Sequence, residues 1–365
     1  MNGLLRLQDY LTAHQYDGIL LLSQTNLRYF AGFTGTTAIG FVTPNTAIGF
    51  VTPNTAFIVT DSRYTEQAEN QCEGYEVIQY TGSNWETIAD IVKNHNITLS
   101  VCAFEGNYVP VDTYMTFSDI LVGSKFKSVD LTPLRAVKRP DELTLMKEAA
   151  RIADEAFAAL LPQLKPGMTE REACVTLEIE MLKRGSEEPS FDTIVASGHR
   201  SSMPHGVASD KVIETGDFVT FDFGAVYQGY HSDMTRTIVM GHASDLQRKL
   251  YKVVLDAQLK GLAAVKAGTT GKIVDAACRD SIAADGYGDY FNHGTGHGVG
   301  LDIHEEPVAS PRSNTVLEPN MIVTVEPGVY LPGEIGLRIE DSVIVTDDGY
   351  ELLTHTSKEL IEVKG

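Results

Sequence analysis

One unit of sequence occurs twice in the C-terminal part of this chain. From Val219 to Thr237 it reads VTFDFGAVYQGYHSDMTRT, and from Val323 to Val343 it reads VTVEPGVYLPGEIGLRIEDSV. Each time a Val/Thr-rich run ending on an acid leads through a Gly-containing loop into a second run that carries another acid. Such runs favour half-buried strands, with side chains alternating between faces. The spacing puts Thr220, Asp222 and Gly224 on one face, and His231, Asp233, Thr235 and Thr237 on one face of the next strand. In the second unit Thr324, Glu326 and Gly328 share a face, as do Arg338, Glu340 and Ser342. Strands joined by a turn bring Asp222 beside Asp233, and buried like charges are costly unless a cation meets them. One pair alone is weak ground, since Asp is common in turns. Its repetition predicts four converging carboxylates and a divalent-metal site.

A fainter echo precedes each unit. Lys165-Pro-Gly-Met-Thr169 resembles Lys266-Ala-Gly-Thr-Thr270, and each opens a helix-like segment that ends at Gly185 or Gly286. In the first, Thr169 and Glu172 form a capping box, with Lys183 and Arg184 before the closing glycine. Residues 141–365 therefore read as two related halves, with the acids where the halves meet. Between the acid pairs lies HGTGHGVGLDIHEEP, which carries His293, His297 and His304, and His205 sits earlier in a Met-Pro-His-Gly turn. The residues alone do not decide which histidine is a ligand. Four carboxylates and an imidazole form a hard, oxygen-rich set that suits manganese, iron, cobalt or zinc over copper, with two metals sharing bridging acids. The segment GTGHGVG is neither GxxxxGK[ST] nor a strand-linked GxGxxG with its later acid, so phosphate binding is rejected.

The remainder sets the frame. With 365 residues the chain fits two domains. Residues 1–130 alternate strand-like and helix-like runs, as in an α/β domain. Residues 131–140, LTPLRAVKRP, read as a linker, and Pro140 with Asp141 and Glu142 opens a helix. A net charge of −20 argues against nucleic acid or an anionic membrane as partner. Cys72, Cys102, Cys174 and Cys278 form no CxxC pair, so neither a thiolate zinc site nor a disulfide framework is expected. Arg6 and Asp9 interrupt the first apolar stretch, and no run nears the length of a membrane span. A reducing, cytoplasmic setting is expected. The nonapeptide TAIGFVTPN occurs at 37–45 and again, unchanged, at 46–54. The period is too short for a solenoid, and one copy is expected to form an extra hairpin or loop at the sheet edge.

Taken together, FDFGA with HSDMTRT, HGTGHGVGLDIHE, VEPGVY and GLRIED, in this order, resemble the signature of the pita-bread metallopeptidases (M24 family). The likeness is closest to the Xaa-Pro aminopeptidase and prolidase branch, and it covers the chain from about Pro140 onward. The first domain resembles the creatinase-type N-terminal domain of that branch. The resemblance implies an α+β pita-bread catalytic domain with pseudo-twofold halves. It implies two divalent metal ions, manganese first among the candidates, on Asp222, Asp233, His297, Glu326 and Glu340, with Asp233 and Glu340 bridging. His205 and His304 fit the non-ligand histidines that contact the substrate carbonyl, and Arg338 fits a partner for a ligand carboxylate. Glu326 is also implied as proton acceptor, and Tyr330 and His205 are expected to wall a proline pocket. The implied reaction is release of the residue before proline from proline-containing peptides by a homodimeric Xaa-Pro aminopeptidase. A prolidase confined to dipeptides is the alternative, and a non-catalytic binding member of the same fold is the remote one.

Overall fold

Leu4, Leu7 and Leu11 recur at helical spacing and are buried on one face of the helix Gly3–His14. That helix opens the first of two units into which the chain divides, between Arg135 and Ala136, in a computed structural model that describes residues 3–44 and 56–364. The first unit holds a six-stranded mixed sheet, in the order Glu76–Gln79, Ala56–Thr60, Ala38–Val42, Gly18–Leu21, Val101–Glu105, Lys125–Val129. Helices Thr65–Gln71, Asn84–Asn94 and Val111–Ile120 follow the alternation expected from the sequence. Trp85, Ile88 and Phe117 pack on Phe57, Phe41 and Phe104 to form its core. A π-helical turn at Leu27–Ala31, closed by Gly32 at φ 76°, has no counterpart in the sequence pattern. The first copy of the nonapeptide supplies the interior strand Ala38–Val42; the second copy, with its expected edge hairpin, lies outside the described residues.

The second unit runs through one order of elements twice. Helices Pro140–Leu160 and Glu170–Lys183 precede the strands Ile194–Ser197, Phe218–Phe223 and Met234–Met240. Helices Asp245–Ala264 and Gly271–Ala284 precede Gly296–Gly298, Glu305–Ala309, Ile322–Val325 and Asp341–Val345. Each half has its own core. Phe157, Leu160, Leu177, Phe221 and Phe223 fill one, and Val254, Ile282, Val323, Val325 and Val343 fill the other. The capping box at Thr169 and Glu172 is present, as is a bond from the Arg139 amide to Glu142 at the head of the long helix.

The halves meet along the acid-bearing strands. Thr237 Oγ1 donates to the Arg338 carbonyl at 2.9 Å, the Glu340 amide to the Thr235 carbonyl at 3.1 Å, and Ser342 Oγ to the Asp233 carbonyl at 2.8 Å. Among the described residues, no helix is long and apolar enough to cross a membrane.

Candidate metal centre

Asp222, Asp233 and Glu340 each bring a carboxylate oxygen to within 4.8 Å of the others. Asp222 lies inside the strand Phe218–Phe223 and pairs with Thr235 across the antiparallel ladder. The other acids stand at strand ends: Asp233 just before Met234–Met240, Glu326 just after Ile322–Val325, and Glu340 just before Asp341–Val345. The smooth face alternation expected from the sequence therefore breaks at Asp233, Glu326 and Glu340. Ahead of Asp233 the cause is a small hairpin, Val226–Tyr227 with Tyr230–His231, turned by Gln228 and Gly229 at positive φ. A chain leaving the ladder can aim its side chain independently of the pleat.

Glycines permit the close approach. A Cβ on Gly224 would lie 1.8 Å from the Ser232 carbonyl oxygen, and one on Gly296 would lie 1.9 Å from that of Thr324. Gly296→Ala should therefore push His297 and Glu326 apart and destabilise the fold by about 1–3 kcal/mol. A melting curve beside a manganese titration of the variant checks this; an unchanged midpoint would remove the packing argument.

The electrostatics call for cations. Burial, reinforced by the neighbouring acids, holds Asp233 and Glu340 well above the usual carboxylate range. Burial also pushes Glu326 up to about 8, in spite of the Arg338 guanidinium nearby. Asp222 Oδ1 and Glu340 Oε1 are buried without any hydrogen-bond donor, although an ionised carboxylate only accepts. His297 Nδ1 lies 3.0 Å from the Gly298 carbonyl, which can only accept, so Nδ1 carries the proton. The Nε2 lone pair then faces Asp233 Oδ2 at 3.5 Å and Glu326 Oε1 at 3.4 Å. A lone pair aimed at two carboxylates is the arrangement of a ligand set, with the tautomer fixed from behind. The residues present fit divalent metal.

Arg338 ties the acids to the wall behind them. It donates to Asp222 Oδ2, to Thr235 Oγ1 at 3.1 Å and to the Tyr330 hydroxyl at 2.8 Å. Thr235 Oγ1 in turn donates to Glu340 Oε2 at 2.7 Å. His293 Nδ1 donates to the Gly294 carbonyl at 2.7 Å, which leaves Nε2 to accept from the Tyr330 hydroxyl at 2.9 Å. Burial and Arg338 lower the His293 pKa to about 4, so the ring stays neutral.

In front of this network lies a cavity of ≈ 490 Å³. Asp222, Asp233, Glu326, Glu340, His297 and Arg338 line it, as do His205, His304, His293 and the apolar Phe191, Ile194 and Ile303. The His297 and His304 rings meet edge to face at 4.3 Å. Tyr330, expected to wall the pocket, is instead 5% exposed and absent from the lining. Its hydroxyl is taken up by Arg338 and His293, which places it behind the wall.

Sequence reasoning missed the charged residues that hold this wall. Asp275, 1% exposed, accepts both arms of Arg279 at 2.9 Å and the Thr295 amide at 3.2 Å. Arg279 donates onward to the carbonyls of Phe291 and His293 at 2.8 and 2.7 Å. On the reverse of the acid-bearing strands Arg236 pairs with Asp341 at 2.7 Å. A usable signal did exist for Asp275 and Arg279, since they are four apart on one helix.

Comparison with known proteins agrees with this geometry over nearly the whole chain. A model of the Creatinase/Prolidase N-terminal domain matches residues 4–137, and one of metallopeptidase family M24 matches residues 144–347. The chain is 38% identical over 360 residues to the Xaa-Pro dipeptidase of Pyrococcus furiosus, covering 98% of each. Among solved structures it is similar to the Xaa-Pro dipeptidase from Bacillus anthracis, with a TM-score of 0.93, 46% identity and 98% of both chains covered. It is also similar to the X-Pro aminopeptidase from Thermotoga maritima, with a TM-score of 0.88, 37% identity and 96% and 98% coverage. With its halves built on one plan and its acids gathered where they join, the chain belongs to metallopeptidase family M24 and carries that family's creatinase/prolidase N-terminal domain.

Proposed function

We propose that the chain hydrolyses the Xaa-Pro peptide bond with two divalent metal ions, manganese first among the candidates, held by Asp222, Asp233, His297, Glu326 and Glu340. The observation that carries this reading is the set of buried carboxylate oxygens without a donor, Asp222 Oδ1 and Glu340 Oε1, facing a cavity. Asp233 and Glu340, the most buried of the acids at 4% and 1% exposed, would be the two shared between the metals. Bound there, divalent cations acidify a water and polarise the scissile carbonyl. Glu326 accepts the proton of the attacking water, and His205 and His304 donate to the oxyanion that develops on the carbonyl. Arg338 and Thr235 keep Asp222 and Glu340 turned toward the metals.

Dipeptides are the favoured substrates, because relatives bearing the name Xaa-Pro dipeptidase match along the whole chain. The aminopeptidase, which the sequence put first, becomes the second reading, on the likeness to the Thermotoga maritima protein. With manganese or cobalt supplied, Leu-Pro should be cleaved and Leu-Pro-Gly spared. Cleavage of both would favour the aminopeptidase, and turnover of either without metal would remove the mechanism. A homodimer in the cytoplasm completes the proposal. It accords with cysteines that are free and buried, and light scattering would check the assembly. The boundary between the domains is placed in residues 131–140.

A further inference from the structure

We propose that Glu170, far from the metal acids in sequence and outside the cavity lining, is the positioning residue for His205. Glu170 opens the helix Glu170–Lys183 and its side chain is 0% exposed. A carboxylate in that setting is costly unless every lone pair is met. Glu170 meets five donors, all from one segment. Ser197 gives its amide at 2.7 Å and its hydroxyl at 2.9 Å, Ser209 its amide at 3.1 Å and its hydroxyl at 2.7 Å, and Arg200 its guanidinium. The backbone repeats the attachment, with the Glu170 and Arg171 amides donating to the carbonyls of Lys211 and Ser209 at 2.9 and 3.0 Å.

Between the two serines the chain forms a loop that bears Pro204, His205 and Val207 on the cavity wall. His205 itself is exposed and no bond fixes its ring among those described. Its placement therefore depends on the loop beneath it. Glu170 pins both ends, Arg200 folds back to the Val207 carbonyl at 3.0 Å, and Arg338 holds the Pro204 carbonyl at 3.2 Å. Loops are otherwise the mobile parts of a fold. One buried acid thus sets the position of a histidine that the metals do not hold. This rests on the reading of His205 as a substrate contact.

Glu170→Gln keeps the length of the side chain but turns an amide donor toward donors. It should lower kcat by about 10²-fold, the scale expected for a displaced catalytic group. The rise in melting temperature on adding Mn²⁺ alone should match wild type, because Glu170 touches none of the metal acids. Hydrogen exchange of amides 198–209 should quicken. The discriminating measurement is the double variant Glu170→Gln with His205→Ala, expected to be no slower than His205→Ala alone. Additive losses, or a folded Glu170→Gln with wild-type kcat, would overturn the proposal. Arg200→Met attacks the same pin from the loop side if Glu170→Gln does not fold, and wild-type kcat there would overturn it equally. If His205→Ala itself turns over at the wild-type rate, the substrate contact is wrong and the positioning role falls with it; an impaired His205→Ala beside an unimpaired Glu170→Gln sinks the positioning role alone.

Discussion

Asp233→Asn should lower kcat by at least about 10³-fold, a loss of about 4 kcal/mol of transition-state stabilisation, and should make the metal-free protein more heat-resistant than wild type. The two effects share one cause. Asp233 sits within 4.8 Å of Asp222 and Glu340 through its carboxylate, with His297 Nε2 at 3.5 Å. With metal bound its charge is matched; without metal it is repelled. Its folded pKa is raised by burial and by Glu340, Asp222 and Glu326, as is that of Glu340, while Glu326 is pushed up to about 8. A raised carboxylate pKa means that the folded state binds the proton more tightly than the unfolded chain. The associated stability is full below the unfolded pKa of about 4 and is lost as pH rises toward the folded value. In chelator, then, the wild-type midpoint should fall between about pH 5 and about pH 8.5, and the Asp233→Asn variant should show a flatter slope. Adding Mn²⁺ at a hundred times its Kd should return about 2.7 kcal/mol to wild type and little to the variant. A variant that still gains the full metal increment would show that Asp233 is no ligand.

The acids were legible because two signals agree on them. Period-two patterning marks strands, and an acid recurring at the same place in two such units is hard to explain by surface polarity. The order of elements in the second domain was legible for a similar reason, since capping residues and glycines punctuate it at Thr169, Gly185 and Gly286. Choosing among histidines was different. His293, His297 and His304 lie on one glycine-rich segment, and only their neighbours in space separate them: two carboxylates for His297, a tyrosine hydroxyl for His293, the cavity for His304. The supports were least legible. Glu170 and Ser197 are 27 apart, and Arg236 and Asp341 are 105 apart. A charged residue read singly looks like a solvated one, and no local pattern says that its partner arrives from a distant stretch of chain. Tyr330 misled for the same reason: an aromatic next to a ligand motif reads as a pocket wall until its hydroxyl partners are seen.

Arg236→Met should be the most destabilising single change at a residue that touches neither cavity nor substrate. Strand alternation explains why the residue is there. Thr235 faces the metal acids, so its successor Arg236 faces away, into the interior, where it meets Asp341, both side chains no more than 2% exposed. Arg236 donates there to the carbonyls of Thr235, Glu340, Thr356 and Ser357 as well as to Asp341. Asp341 is matched further by Lys358, Gln258 and Thr354, and the charged partners Arg236 and Lys358 hold its pKa below the usual range despite burial. Removing one member of a buried pair costs about 3–5 kcal/mol, or roughly 6–20 °C for a unit of this size. Met fills the volume yet leaves four carbonyls and a carboxylate short of a donor. Because one of those carbonyls belongs to Glu340, metal affinity should weaken by about 10–100-fold as well. Adding Asp341→Leu removes the stranded charge, and Lys358, whose side chain is 18% exposed, can swing its end out to water. The double variant should therefore recover part of the lost stability but not the metal affinity, which depends on the Glu340 carbonyl being held. If Arg236→Met melts with wild type, or if the second substitution restores metal binding in full, the fork behind Glu340 is not what fixes that acid.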